Sequence, residues 1–193
     1  ATQKLLTKAQ IKADQISSIG ISYQMHGLVL VDRDLNPLRK SIIWCDSRAT
    51  SYGEKAFEAL GKVYCKDHLL NSPGNFTASK LAWVIENEPE LSRKVYKFML
   101  PGDFLAAKLS GIPQTTITGL SEGIFWDFKN DQPSQALFDH YQIDQNLVSE
   151  VVDNFTVQAT ISDAGAKATG LKAGTPITYR AGDQPNNAYT LGA

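Results

Sequence analysis

The chain has 193 residues, 42% of them hydrophobic and 20% charged, a globular composition with length enough for a buried core; disordered, collagen-like and coiled-coil chains are excluded. Nineteen Lys and Arg against 20 Asp and Glu give a formal charge of −1, which argues against a strongly basic nucleic-acid binder. No apolar run reaches the ~18 residues of a membrane-spanning helix, and the N-terminal ATQKLLTKAQIKAD lacks the apolar core of a secretory signal.

The chain opens on Ala1 in a helical pattern, with Leu5, Leu6, Ala9 and Ile11 between lysines. Ser18–Tyr23 (SIGISY) and Leu28–Asp32 (LVLVD) read as strands, joined by Gln24-Met25-His26-Gly27. Arg33–Pro37 reads as a turn and Ser41–Cys45 (SIIWC) as a third strand. Asp46 is expected to cap a helix over 48–60 that Gly61 ends, with a short helix over 62–69 after it. Thr77 is the expected cap of a helix over 78–87, whose Leu81, Val84 and Ile85 form a core-facing stripe. Pro89 suits the first position of a helix over 90–95. Tyr96–Leu100 is strand-like, and Pro101-Gly102-Asp103 leads into a helix over 104–109 closed by Gly111. Ser121–Asp127 (SEGIFWD) reads as an aromatic-rich loop. Helices are expected over 134–141, 146–152 and 163–169, and a last strand over 176–181. The chain closes in a helix that is cut short soon after Asn187, so it is expected to be part of a longer protein. Strands mixed with helices predict an α/β or α+β fold with a mixed sheet.

Cys45 and Cys65 make no disulfide framework and suit a reducing, cytoplasmic setting. With His68 they match no usual zinc spacing, so no metal site is expected and both thiols read as half-buried. His68 and His140, in polar helical contexts, read as surface residues.

Two strand ends carry polar sets. In Gln24-Met25-His26-Gly27, the imidazole can bond a hydroxyl and Met25 can supply an adaptable apolar wall. Such groups stand where α/β proteins bind ligands, although a tight connection with a satisfied histidine has the same pattern. In Ala181-Gly182-Asp183-Gln184-Pro185, a carboxylate passes from a strand into a helix N-terminus, as a proton acceptor or simply as an N-cap. Trp44 ends an apolar run and offers either an aromatic face for a sugar or a core side chain. Neither a Ser-His-Asp pattern nor a phosphate-loop or GxGxxG fingerprint is present.

With these residues in place, the sequence resembles the FGGY family of carbohydrate kinases, most closely its xylulokinase members. The resemblance rests on six stretches in the family's order: IGISYQMHGLVLVD, IIWCDSRA, NFTASKLAWVIENEPE, FMLPGDFLAAKLSG, TTITGLSEGIFWD and ITYRAGDQPNNA. It implies an RNase-H-like, actin-like α/β domain that binds sugar, with a second, ATP-binding domain lying outside this chain. The family's opening strand and phosphate loop would precede Ala1. The resemblance further implies ATP-dependent phosphorylation of a ketopentose, first of all D-xylulose, with Mg²⁺ bridging the phosphates. It makes Asp183 the catalytic base, Met25-His26 the pair that faces the ketose, and Gln24, Trp44 and Gln184 its further contacts. Kinases of ribulose, gluconate or glycerol, and a sugar-binding module without catalysis, are the alternatives. The chain by itself is expected to be inactive and, with sheet edges open, to self-associate or dimerise.

Overall fold

The computed structural model describes residues 1–192. In chain order, helix α1 (Thr2–Ala9) precedes strands β1 (Ile19–Tyr23) and β2 (Val29–Val31). Helix α2 (Thr50–Leu60) follows, then the short α3 (Lys62–Tyr64), which runs into a π-turn over Cys65–Leu69. Helices α4 (Thr77–Asn87) and α5 (Pro89–Ser92) lead to strand β3 (Lys97–Met99) and helix α6 (Pro101–Ser110). Then come β4 (Gln114–Thr116), α7 (Ile117–Glu122), β5 (Trp126–Asp127), β6 (Gln132–Pro133) and α8 (Gln135–Tyr141). The chain finishes with β7 (Glu150–Val152), β8 (Ala159–Thr160), α9 (Asp163–Thr169), β9 (Pro176–Gly182) and α10 (Asp183–Thr190).

The sheet that matters for function has the order β1–β9–β8, with β1 parallel and β8 antiparallel to β9. β1 alternates: Ile21 and Tyr23 turn into the core while Gly20 and Ser22 face out. Pro176 takes the first position of β9, where a missing N–H costs least. α6 packs on β1, β8 and β9, and Ile21, Tyr23, Leu100, Ala106 and Ile177 make the core between them. A larger core lies beside it, built on Leu28, Leu30, Ala78, Leu81, Val84 and Phe98 with Phe125, Leu137 and Phe138. The expected stripe of α4 is therefore a core face, although Ile85 is only half-buried. The remaining strands pair as β2–β3 antiparallel, β4–β7 parallel and β5–β6 antiparallel.

Three expectations fail on tertiary grounds. Ser41–Cys45 is not a strand: Ile42 bridges Leu28, but Ile43, Trp44 and Cys45 are exposed and turn away. The turn is held by Asp46 N–H on the Ile43 carbonyl (3.1 Å) and by Trp44 N–H on Gln24 Oε1 (3.2 Å). Residues 146–152 are not a helix. One 3₁₀ turn, Gln145–Leu147, is held by Asp144 on Asn146 N–H, and β-branched Val151 and Val152 then pair with β4. Within Ser121–Asp127 the first two residues complete α7, which Thr116 Oγ1 caps through Gly119 N–H at 3.1 Å.

Smaller shifts occur at helix starts. Asp46 binds Arg48 rather than capping α2, which starts at Thr50, and α4 starts on Thr77 itself. The helix expected over 90–95 is only α5, a single turn that does begin on Pro89.

Candidate active site

β1 and β9 end together: Tyr23 lies in register with Gly182 in the parallel ladder. The residues that follow each strand therefore emerge side by side, about 4.8 Å apart by strand spacing. Gln24, Met25 and His26 leave one strand; Asp183 and Gln184 leave the other. With Trp44 they line one cleft of about 320 Å³, roughly ten water volumes. All six residues singled out from the sequence meet there. A larger hollow of about 440 Å³, lined by Tyr52, Lys55, Glu86 and His140, holds none of them.

Asp183 opens α10 with an exposed side chain and makes no capping bond; Gly182 is the cap residue. The simple N-cap alternative thus falls, and the carboxylate is left to the cleft, where Gln184 Nε2 approaches it at 3.4 Å. Asn186, which sequence reasoning missed, fixes the turn by donating from Nδ2 to the carbonyls of Ala181 (3.0 Å) and Gly182 (2.8 Å). Gly182 is required by close approach: a Cβ there would run into Met25 Cγ and Glu122 Oε2.

His26 has φ +62°, the left-handed region that non-glycine residues rarely enter. Three contacts hold it there. Lys80 Nζ donates to its carbonyl (2.8 Å), its Nδ1 meets the Glu122 carbonyl (2.8 Å), and its ring stands edge-on to Phe76 at 4.2 Å. A carbonyl only accepts, so Nδ1 carries the proton. Burial, with the Lys80 ammonium adding to it, holds the imidazole below its ordinary pKa and hence neutral, against the opposing Glu122 hydrogen bond. Nε2 is thereby left as an acceptor on a ring that lines the cleft. Lys80 itself is fully buried, and burial lowers it to about 8.

Trp44 is 62% exposed, so the core alternative falls and its indole forms a wall of the cleft. Gln24 spends its Oε1 on the Trp44 amide, which makes it partly a support for that wall.

Beneath the cleft lies a buried polar layer that sequence reasoning did not anticipate. Arg180 and Asp103, each about 1% exposed, face one another at 3.0 Å between Nε and Oδ1. Thr115 Oγ1 donates to Asp103 Oδ2 at 2.8 Å. Burial pushes the Asp103 carboxyl up to about 6 against the pull of Arg180. Burial also pushes the Tyr23 phenol upward, and raises Glu122 to about 9 with Asp103 adding to it. Asp103 sits in the PGD run and Arg180 three residues before Asp183, but nothing in the local pattern pairs an acid on α6 with a base on β9. Glu122 fell within an expected loop.

His68 is not a surface residue: its Nδ1 meets Asp127 at 2.9 Å and its ring stacks on Tyr64 at 4.3 Å. His140 is half-buried. Cys65 is buried and Cys45 exposed, so neither is the half-buried thiol expected. Among the described residues no three His, Cys, Asp or Glu side chains gather as a metal site, and no helix is long and apolar enough to cross a membrane.

The family model described as "FGGY family of carbohydrate kinases, N-terminal domain" matches residues 1–189. A xylulose kinase of Bacillus subtilis is 30% identical over 198 aligned residues, covering 100% of this chain and 38% of its own length. The chain thus spans well under half of the curated relatives it matches. Among solved structures, a ligand-bound xylulose kinase of Lactobacillus acidophilus superposes with a TM-score of 0.82 at 22% identity, over 98% of this chain and 38% of that one. A glycerol kinase of Plasmodium falciparum gives 0.82 at 19% identity, over 97% and 38%. At these identities the two structures speak to the fold, that of the actin-like, RNase-H-like sugar kinases.

Proposed function

Because the chain belongs to the FGGY family of carbohydrate kinases, we propose that residues 1–193 form most of the sugar-binding domain of a two-domain ketopentose kinase. Its acceptor is D-xylulose and its phosphoryl donor ATP. One observation carries the reading: the Met25-His26 pair and the Asp183 carboxylate, 157 positions apart between His26 and Asp183, open into one cleft of sugar size. A sugar-binding module without catalysis has no need of a free carboxylate at that spot.

A sugar hydroxyl is a poor nucleophile near neutral pH. Asp183 accepts its proton as the new O–P bond forms and aims the oxygen at the γ-phosphorus. His26 Nε2 accepts from a second hydroxyl. Gln184 offers both a donor and an acceptor. Trp44 covers the C–H side of the sugar. Alignment of this kind supplies much of the rate in phosphoryl transfer. ATP brings the transferred group and Mg²⁺ neutralises its charge. The described residues include no three-ligand cluster for the metal, so none of them is assigned to it and no step is routed through it. A cytoplasmic setting suits such an enzyme, and neither a nucleic acid nor a membrane is a required partner.

The test is ADP release by the full-length enzyme with D-xylulose, D-ribulose, L-ribulose, gluconate and glycerol in parallel. The 193-residue chain serves as the inactive control. Turnover fastest with D-xylulose supports the proposal. Turnover only with gluconate or glycerol would move the substrate to another branch of the family. No turnover with any of them would move the substrate to another sugar or the protein to the class of sugar-binding modules.

A further inference from the structure

Glu122 has no task in the reaction scheme above, yet it touches the site at two points. Its main-chain carbonyl holds His26 Nδ1. Its Oε2 and Met25 Cγ together fill the space where residue 182 would carry a Cβ. Its Oε1 is buried with no hydrogen-bond partner among the described residues, in a side chain only 7% exposed. It also lines a second hollow of about 310 Å³, which shares Met25 and His26 with the cleft. A carboxyl group is a poor choice for plain filling between a glycine and a thioether, since its charged form is costly to bury.

We propose that Glu122 is a positioning residue of the sugar site, its carboxyl group seating the Gly182–Asp183 turn against Met25. This rests on the sugar-kinase reading and adds to it a residue that acts through Asp183 and His26 rather than on the sugar. The groups around it favour an uncharged acid. Asp183 (α10) and Asp103 (α6) repel a carboxylate there, and the Tyr23 phenol (β1) lies beside it. Arg180 (β9) faces Asp103 at 3.0 Å and Lys80 (α4) donates to the His26 carbonyl, and neither cation is among the charges that act on Glu122. As an acid, Glu122 packs against Gly182 without disturbing Asp183. As a carboxylate, it places a second negative charge by the base and loosens the turn. Loss of the Glu122 proton, at a carboxyl raised to about 9, is therefore expected to impair the site.

The experiment compares the isotope-labelled chain with Glu122→Gln, an isostere that cannot ionise, between pH 6 and 10.5. Carbon NMR of the Glu122 carboxyl and the amide signals of Gly182 and Asp183 are followed. A step near pH 9 is expected in all three in the original chain, and none in the two amides of the variant. A smaller step near 8 from Lys80 persists in both. D-Xylulose affinity is expected to fall by about tenfold between pH 7.5 and 10 in the original chain and to hold within about twofold in the variant. Absence of the carboxyl step, or amide steps near pH 9 that survive in Glu122→Gln, would overturn the proposal whether or not sugar binds. The steps present without D-xylulose binding would uphold Glu122 and count against the substrate reading instead. Glu122→Ala would leave a hole beside Gly182, so the comparison uses the Gln variant, which keeps the side chain's volume.

Discussion

Glu122→Gln should change the stability of the chain by an amount that depends on pH, against the variant near pH 4.5 and in its favour near neutrality. In the unfolded chain a glutamate titrates near 4.5, and in the fold burial raises Glu122 to about 9. A raised carboxyl pKa means that folding takes up a proton between these values. Its stabilising share is whole below about 4.5 and is lost steadily as pH rises to about 9. At pH 7.5 the three units above 4.5, at about 1.4 kcal/mol each, amount to about 4 kcal/mol against the folded state. The amide carries no such term. It does leave polar atoms buried, but that cost of about 1–3 kcal/mol does not vary with pH. The quantity to read is therefore the slope of the difference between variant and parent. Every other titrating group is common to both and drops out. For a chain of this length about 1 kcal/mol moves Tm by about 2–4 °C, so the Tm difference should grow by about 10 °C from pH 4.5 to 7.5. Thermal unfolding followed by circular dichroism measures it. A difference that stays flat across that range would refute an uncharged Glu122.

Asp183→Asn should lower turnover of the full-length enzyme by about 10²–10⁴-fold while Tm stays put, because the side chain is exposed and caps nothing; steady-state kinetics and a melt decide it together. Gly182→Ala should cost about 1–3 kcal/mol from the clash with Met25 and Glu122 and weaken sugar binding as the turn shifts, which denaturant unfolding and calorimetry would report; an unchanged pair of values would contradict the close packing. Arg180→Met strips Asp103 of its buried partner and should cost about 3–5 kcal/mol, visible as a lower urea midpoint. β1 pairs on one side only among the described residues, so light scattering should show mass rising with concentration; a constant monomer mass up to millimolar chain would argue against an adhesive edge.

The candidate site was legible in the sequence because its parts are ends of strands. SIGISY and PITYRA announce themselves by apolar content, and the polar residues just beyond each are few enough to stand out. That the two ends meet is a matter of the parallel register of Tyr23 with Gly182, which no local pattern encodes. The apolar run at Ile42–Cys45 misled because Trp44 is apolar yet serves the cleft, not the core. Val151 and Val152 look helical beside Leu147 until β4 supplies a strand for them to pair with. Lys80 and Glu122 escaped notice for a related reason. Each is an ionisable residue that tertiary structure turns inward, where its neighbours come from positions 26 and 182.

The most direct test of the central claim is an amide-shift titration of the 193-residue chain with D-xylulose. Saturable shifts confined to Gln24–Gly27, Trp44 and Gly182–Gln184 are what a sugar site at the joined ends of β1 and β9 predicts. Shifts centred elsewhere, or none at millimolar sugar, would contradict it.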